Sequence, residues 1–173
     1  MKHWISWSPA VHVTQSTRLM VCFPVRGSDL EILRAWYVHE THREFSVYSP
    51  HITPIPPFFC DLAHANNVAD VISNSQPFPV PISLTDSGVF HQNGKSILFL
   101  HAEPAEEIAK FAENLELKFA DMITIDLTPY TNQQRPPFEA HLTVEYDWKD
   151  SVASTNANIK IQTKTAELWI ETG

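Results

Sequence analysis

Two tripeptides, His51-Ile52-Thr53 and His141-Leu142-Thr143, stand 90 residues apart, and each falls in an extended run that follows a helical one. In a strand, residues i and i+2 point to the same face. Histidine and threonine of each tripeptide therefore share one face, while Ile52 and Leu142 point the other way, into a core. A chain that carries this pattern twice in comparable settings is expected to fold as two similar halves that bring the two strands together. The pattern His-x-Thr alone is weak, because it also occurs at His12-Val13-Thr14 and His39-Glu40-Thr41. Context separates the four. His39 lies in a helical stretch, where i and i+2 do not share a face. His12 precedes the first clear core strand and is followed by a polar run. It remains a rival partner for His51.

The rest of the chain supports that organisation. Residues 18–25 (RLMVCFPV) read as a buried strand, and Ser28 with Glu31 reads as a capping box. A helix then runs to about His42, with Leu30, Leu33, Trp36 and Tyr37 on its apolar face. Residues 47–59 look extended, but prolines at 50, 54, 56 and 57 point to an edge strand or a short piece. Asp61 caps a second helix whose apolar positions are Leu62, Ala65, Val68, Ala69 and Ile72. Residues 78–90 and 96–101 form a hairpin about Asn93-Gly94. Pro104 opens a third helix at its first position, with Ile108, Phe111, Ala112, Leu115 and Phe119 inward. A loop over 128–137 leads to a strand at 138–146. Residues 150–158 read as a polar loop and 159–170 as one long final strand. The expected fold class is α+β: two antiparallel sheets facing each other across a central cleft, with helices outside, in one domain over 1–173.

The residue types at the two motifs define a chemistry. An imidazole moves a proton near neutral pH, and a threonine hydroxyl donates a hydrogen bond to a phosphate oxygen. Two such strands supply one acid, one base and two phosphate clamps, which suffices to cleave a phosphodiester without metal or cofactor. Glu145 shares the face of His141 and Thr143 if its strand stays regular, where it would orient an imidazole.

This pair of motifs resembles the 2H phosphoesterase superfamily, which includes bacterial 2′-5′ RNA ligase-like proteins and 2′,3′-cyclic nucleotide phosphodiesterases. The resemblance covers roughly residues 17–170. The run Arg135-Pro136-Pro137-Phe138 leading into His141 is similar to the family's approach to its second motif, with one extra residue and Ala140 where proline is common. The resemblance implies that His51 and His141 are the general acid and base and that Thr53 and Thr143 hold the phosphate. It leaves the substrate open among cyclic phosphates, 2′-5′ linkages and signalling oligonucleotides. RNA-end processing or 2′-5′ ligation on tRNA-like ends, and nucleotide binding without catalysis, are the alternatives.

Charge narrows the partner. The formal net charge is −8, with 12 Lys and Arg against 20 Asp and Glu. Long nucleic acids are bound by basic surfaces, so a small nucleotide or short oligonucleotide is expected instead. Arg135 is a candidate phosphate contact, and Phe138, Tyr130 and Tyr48 are candidates for stacking on a base. His39 and His42, one helical turn apart, lack companion ligands for a metal. His101 is solvated or lines the cleft. Trp4, Trp7, Trp36 and Trp169 read as core or N-terminal packing. Cys22 and Cys60 sit in apolar runs and are expected as buried thiols. With no apolar leader and no run of 18 apolar residues, a cytoplasmic monomer away from membranes is expected.

Overall fold

The computed structural model describes residues 3–150 and 155–172. The elements run β1 (His3–Ser6), β2 (Arg18–Pro24), α1 (Gly27–Thr41), β3 (His51–Phe59), α2 (Leu62–Asn74), β4 (Ile82–Gln92), β5 (Lys95–Glu103), α3 (Ala105–Phe119), β6 (Thr124–Ile125), β7 (His141–Tyr146), β8 (Asn156–Ile161) and β9 (Glu167–Thr172). The fold is α+β, with three helices and antiparallel strand pairing throughout. The strands line up as β1-β9-β2-β3-β7-β5-β4-β8, with β6 on β3. The two expected sheets are thus joined edge to edge into one path. Their seam is narrow: β3 and β7 meet at Ile52 opposite Leu142.

Helix α1 packs on β8, α2 on β9 and α3 on β3 and β5. The core between helices and sheet holds Phe23, Tyr37, Phe58, Phe78 and Phe119, all under 2% exposed. Asp61 caps α2 as expected, its carboxylate accepting from the His64 N–H at 2.8 Å. The expected inner faces of α2 and α3 are buried at Ala65, Val68, Ile72, Ile108, Ala112, Leu115 and Phe119. The hairpin turns at Asn93 and Gly94, whose φ of 51° and 74° are the left-handed pair that a two-residue turn requires. Both cysteines are free and buried. Among the described residues, no helix is long and apolar enough to cross a membrane.

Several local expectations are corrected. Helix α1 begins at Gly27, and its N-cap, Arg26, makes no side-chain cap bond, so Ser28 and Glu31 form no capping box. Asp29 turns inward and accepts from the Gln162 N–H at 2.7 Å, tying the helix to the chain after β8. Pro104 is the N-cap of α3 rather than its first residue. β3 is neither short nor at an edge: it spans nine residues between β2 and β7. Its pairing with β2 skips 54, 56 and 57 through two register shifts, so its prolines fall where the ladder asks for no N–H. The long final strand divides into β8, which ends the path on one side, and β9, which lies between β1 and β2 near the other. Between them the Lys164 carbonyl accepts from the Phe78 N–H at 2.8 Å. β1 and β6 carried no legible pattern.

Candidate active site

The pair Ile52 and Leu142 fixes the site. Both side chains are fully buried on the helix side of the sheet. Their neighbours His51, Thr53, His141 and Thr143 therefore point together to the other face. Continued one residue each way from that single pair, the antiparallel register sets His51 across from Thr143 and Thr53 across from His141. The two histidines are then diagonal neighbours, a relation that spans roughly 7–8 Å.

Each imidazole is held in the same way. His51 Nδ1 lies 2.8 Å from the Ser49 carbonyl oxygen, and His141 Nδ1 lies 2.7 Å from that of Glu139. A carbonyl only accepts, so Nδ1 carries the proton and Nε2 is the nitrogen left to act. In both cases the carbonyl belongs to the residue two positions earlier. Burial pulls the His51 pKa below the ordinary histidine value; the Ser49 carbonyl opposes this and the nearby charge of His141 adds to it. Burial also lowers His141, against the Glu139 carbonyl and carboxylate, with His101 lowering it further. Burial thus favours the neutral form of both imidazoles, which share one face of the sheet.

Aromatic rings buttress both histidines. Trp169 lies 5.2 Å from His51 between ring centroids. Phe90 and Phe99 lie 5.4 and 5.3 Å from His141. Phe99 in turn lies over β4 at Gly88, where a Cβ would meet the ring at 2.5 Å. Only glycine leaves that space.

β7 does not stay regular after Thr143. Phe99 pairs with Thr143 and Leu98 with Glu145, so Val144 is an extra residue. This bulge puts Glu145 on the helix side with Val144. There Glu145 accepts from the Tyr37 hydroxyl, and from Arg43 Nη1 at 3.3 Å. Burial and the Glu145 bond push the Tyr37 phenol up to about 12. Glu145 therefore does not share the histidine face. The bulge brings Tyr146 there instead, opposite Ile97 of β5. His101 lies opposite His141 on β5 and sits 3.2 Å from the Glu139 carboxylate, so it shares the face of His141.

The other candidates separate. Tyr48 is 70% exposed, has its ring 5.2 Å from that of His3, and lines a cavity with Ser49 and Trp169. Arg135 is paired with Glu116 of α3. Phe138 packs against the core, on the side opposite the histidines. The Tyr130 pKa is raised, first by burial, with Arg135, Asp126 and Arg18 as charged neighbours. These three are not assembled with the histidine–threonine face. His12 is exposed ahead of β2, and His39 is exposed on α1 beside Glu40. Among the described residues no group of three His, Cys, Asp or Glu side chains is arranged to hold a metal.

Trp169 is buried with Met20 and Cys22, the packing expected of it, but its place beside His51 and that of Tyr146 beside Thr143 go beyond the sequence expectations. Trp169 was legible in the alternation Glu167-Leu168-Trp169-Ile170-Glu171: Leu168 and Ile170 fill the core, so Trp169 must face away from it. Tyr146 was not legible, since only the bulge moves it to the histidine face. A family model for the 2′-5′ RNA ligase superfamily matches residues 26–171. No curated protein matches the chain.

Proposed function

Because this chain belongs to the 2′-5′ RNA ligase superfamily, we propose that it is a metal-independent phosphodiesterase acting on a nucleotide, with His51 and His141 as its acid–base pair. The observation that carries this reading is the twin arrangement at the seam: two imidazoles on one face of the sheet, each pinned through Nδ1 by a carbonyl, which leaves Nε2 to act. A phosphate seated there receives hydrogen bonds from the Thr53 and Thr143 hydroxyls on its non-bridging oxygens. The neutral imidazole takes a proton from the attacking hydroxyl or water as the new P–O bond forms. The protonated one delivers a proton to the oxygen of the P–O bond that breaks. One histidine ends with a proton gained and the other with a proton lost, and exchange with water restores the pair.

Their surroundings suggest which does which. Burial lowers His141 as it does His51, but the Glu139 carboxylate works against that shift at His141 alone, so His141 is assigned the acid. His51 has no carboxylate among its influences and feels the charge of His141, so it is assigned the base. The same groups run backwards would join a 2′,3′-cyclic end to a hydroxyl, and the family description favours keeping ligation as the second reading. The experiment is incubation with 2′,3′-cyclic, 3′-5′ and 2′-5′ substrates in EDTA, for the wild type and each His→Ala variant. Cleavage by the wild type alone supports the reading, and cleavage that survives His141→Ala defeats it.

A further inference from the structure

A cavity of about 320 Å³ opens beside His51, between the start of α1 and the segment before β3. Two of its wall residues are the supports of His51: the Ser49 carbonyl that holds Nδ1, and the Trp169 ring. Its volume is at the small end of the range for small-molecule sites. It is lined by two guanidinium groups, Arg26 and Arg34, and by no carboxylate, in a chain of net charge −8. Its aromatic surface comes from Tyr48, Phe45 and Trp169.

The two arginines are held differently. Arg26 makes a two-point pair with Glu167 at 2.7 and 2.9 Å and lies 5.7 Å above the Trp169 ring, so its plane is fixed. Two of its five N–H donors are used there. Arg34 touches only Glu31 among the ion pairs of the described residues, at 3.1 Å, with both side chains about half exposed or more. An exposed pair of that kind holds little, so Arg34 is available to a phosphate. Guanidinium groups suit phosphate oxygens, and an exposed tyrosine suits a base.

We propose that this cavity is a second subsite, which takes the nucleotide flanking the phosphate at the histidines, with its own phosphate on Arg34 and Arg26 and its base against Tyr48. It rests on the phosphodiesterase reading and narrows it. The preferred substrate is an oligonucleotide, linear or cyclic, with at least two phosphates, and a mononucleotide 2′,3′-cyclic phosphate is a poor one.

The test uses ligands that contain no diester. Nucleoside 3′,5′-bisphosphates of the four bases are titrated by calorimetry against the matching 5′-monophosphates, at physiological salt. The wild type should bind a bisphosphate about tenfold or more tighter than its monophosphate, as one charge-assisted contact provides. Arg34→Ala, or Arg34→Gln if the first is poorly folded, should bring the two within about twofold. Equal affinities in the wild type for all four bases would overturn the subsite, and so would a margin that survives both variants. Turnover is measured in parallel. An Arg34-dependent margin without cleavage of any diester supports the subsite and ends the phosphodiesterase reading. Cleavage without the margin supports that reading and ends the subsite.

Discussion

Ile52 and Leu142 face each other across the seam of β3 and β7, both fully buried, and on either side of that pair each strand carries a histidine and a threonine to the opposite face of the sheet. If the acid–base assignment holds, His51→Ala and His141→Ala should each lower kcat by about 10²–10⁴-fold. The double variant should lose far less than the product of the two, since the pair acts as a unit. Both histidines point away from the core, so circular dichroism should show the fold retained.

The rate should be bell-shaped in pH. Its acid limb reports the base and should lie below the ordinary histidine value, because burial lowers His51. Its alkaline limb reports the acid in the complex, raised there by the bound phosphate. The free protein should show the linked effect on stability. Both histidine pKa values are lowered on folding, so the unfolded chain binds more protons between its own value of about 6.5 and the lower folded ones. The part of the stability due to these groups is therefore present above pH ~6.5 and is lost as pH falls through that window. Replacing both histidines with asparagine should flatten the melting temperature between pH 7 and 5.

Gly88→Ala should disturb His141 from a distance. The new methyl would sit 2.5 Å from the Phe99 ring, which is packed on His141. Overpacking of this kind costs about 1–3 kcal/mol, and kcat should fall with little change in KM. Adding Phe99→Leu makes room and should recover stability in the double variant. A Gly88→Ala protein with unchanged melting and unchanged kcat would contradict the packing described.

Tyr37→Phe separates stability from catalysis. It removes the hydroxyl that donates to Glu145, at a cost of about 1–3 kcal/mol. Arg43 remains to hold the carboxylate. Because the bulge turns Glu145 away from the histidines, kcat at a temperature where the variant is folded should match the wild type. A kcat loss of tenfold or more would place Glu145 in the catalytic path after all.

Chelation is the remaining check. Turnover should be unchanged after exhaustive EDTA treatment, since the proposed acid, base and phosphate donors are all side chains of the protein. Loss in EDTA with recovery on adding Mg²⁺ or Mn²⁺ would overturn the two-histidine mechanism even if both histidines proved essential.

What could be read in the sequence was local and periodic. The period of two around Ile52 and Leu142 determined which side of each strand carries histidine and threonine, because alternation is a property of the strand itself. The 3.6-residue spacing in α2 and α3 determined which faces are buried, and Asn93-Gly94 determined the hairpin, because few residues adopt its turn. What depended on partners distant in sequence was decided only by the tertiary structure. The prolines of β3 argued for an edge, but a strand is central or peripheral according to what pairs with it. Here the register with β2 skips those prolines. A regular strand would have carried Glu145 to the cleft, but one extra residue against β5 sent it to Tyr37 and brought Tyr146 in its place. Trp169 stands on His51 because β9 lies beside β2, more than a hundred residues from the histidine it supports. The histidine–threonine face was thus written in short-range alternation, and the shell around it in long-range pairing, where no single stretch of sequence holds the information.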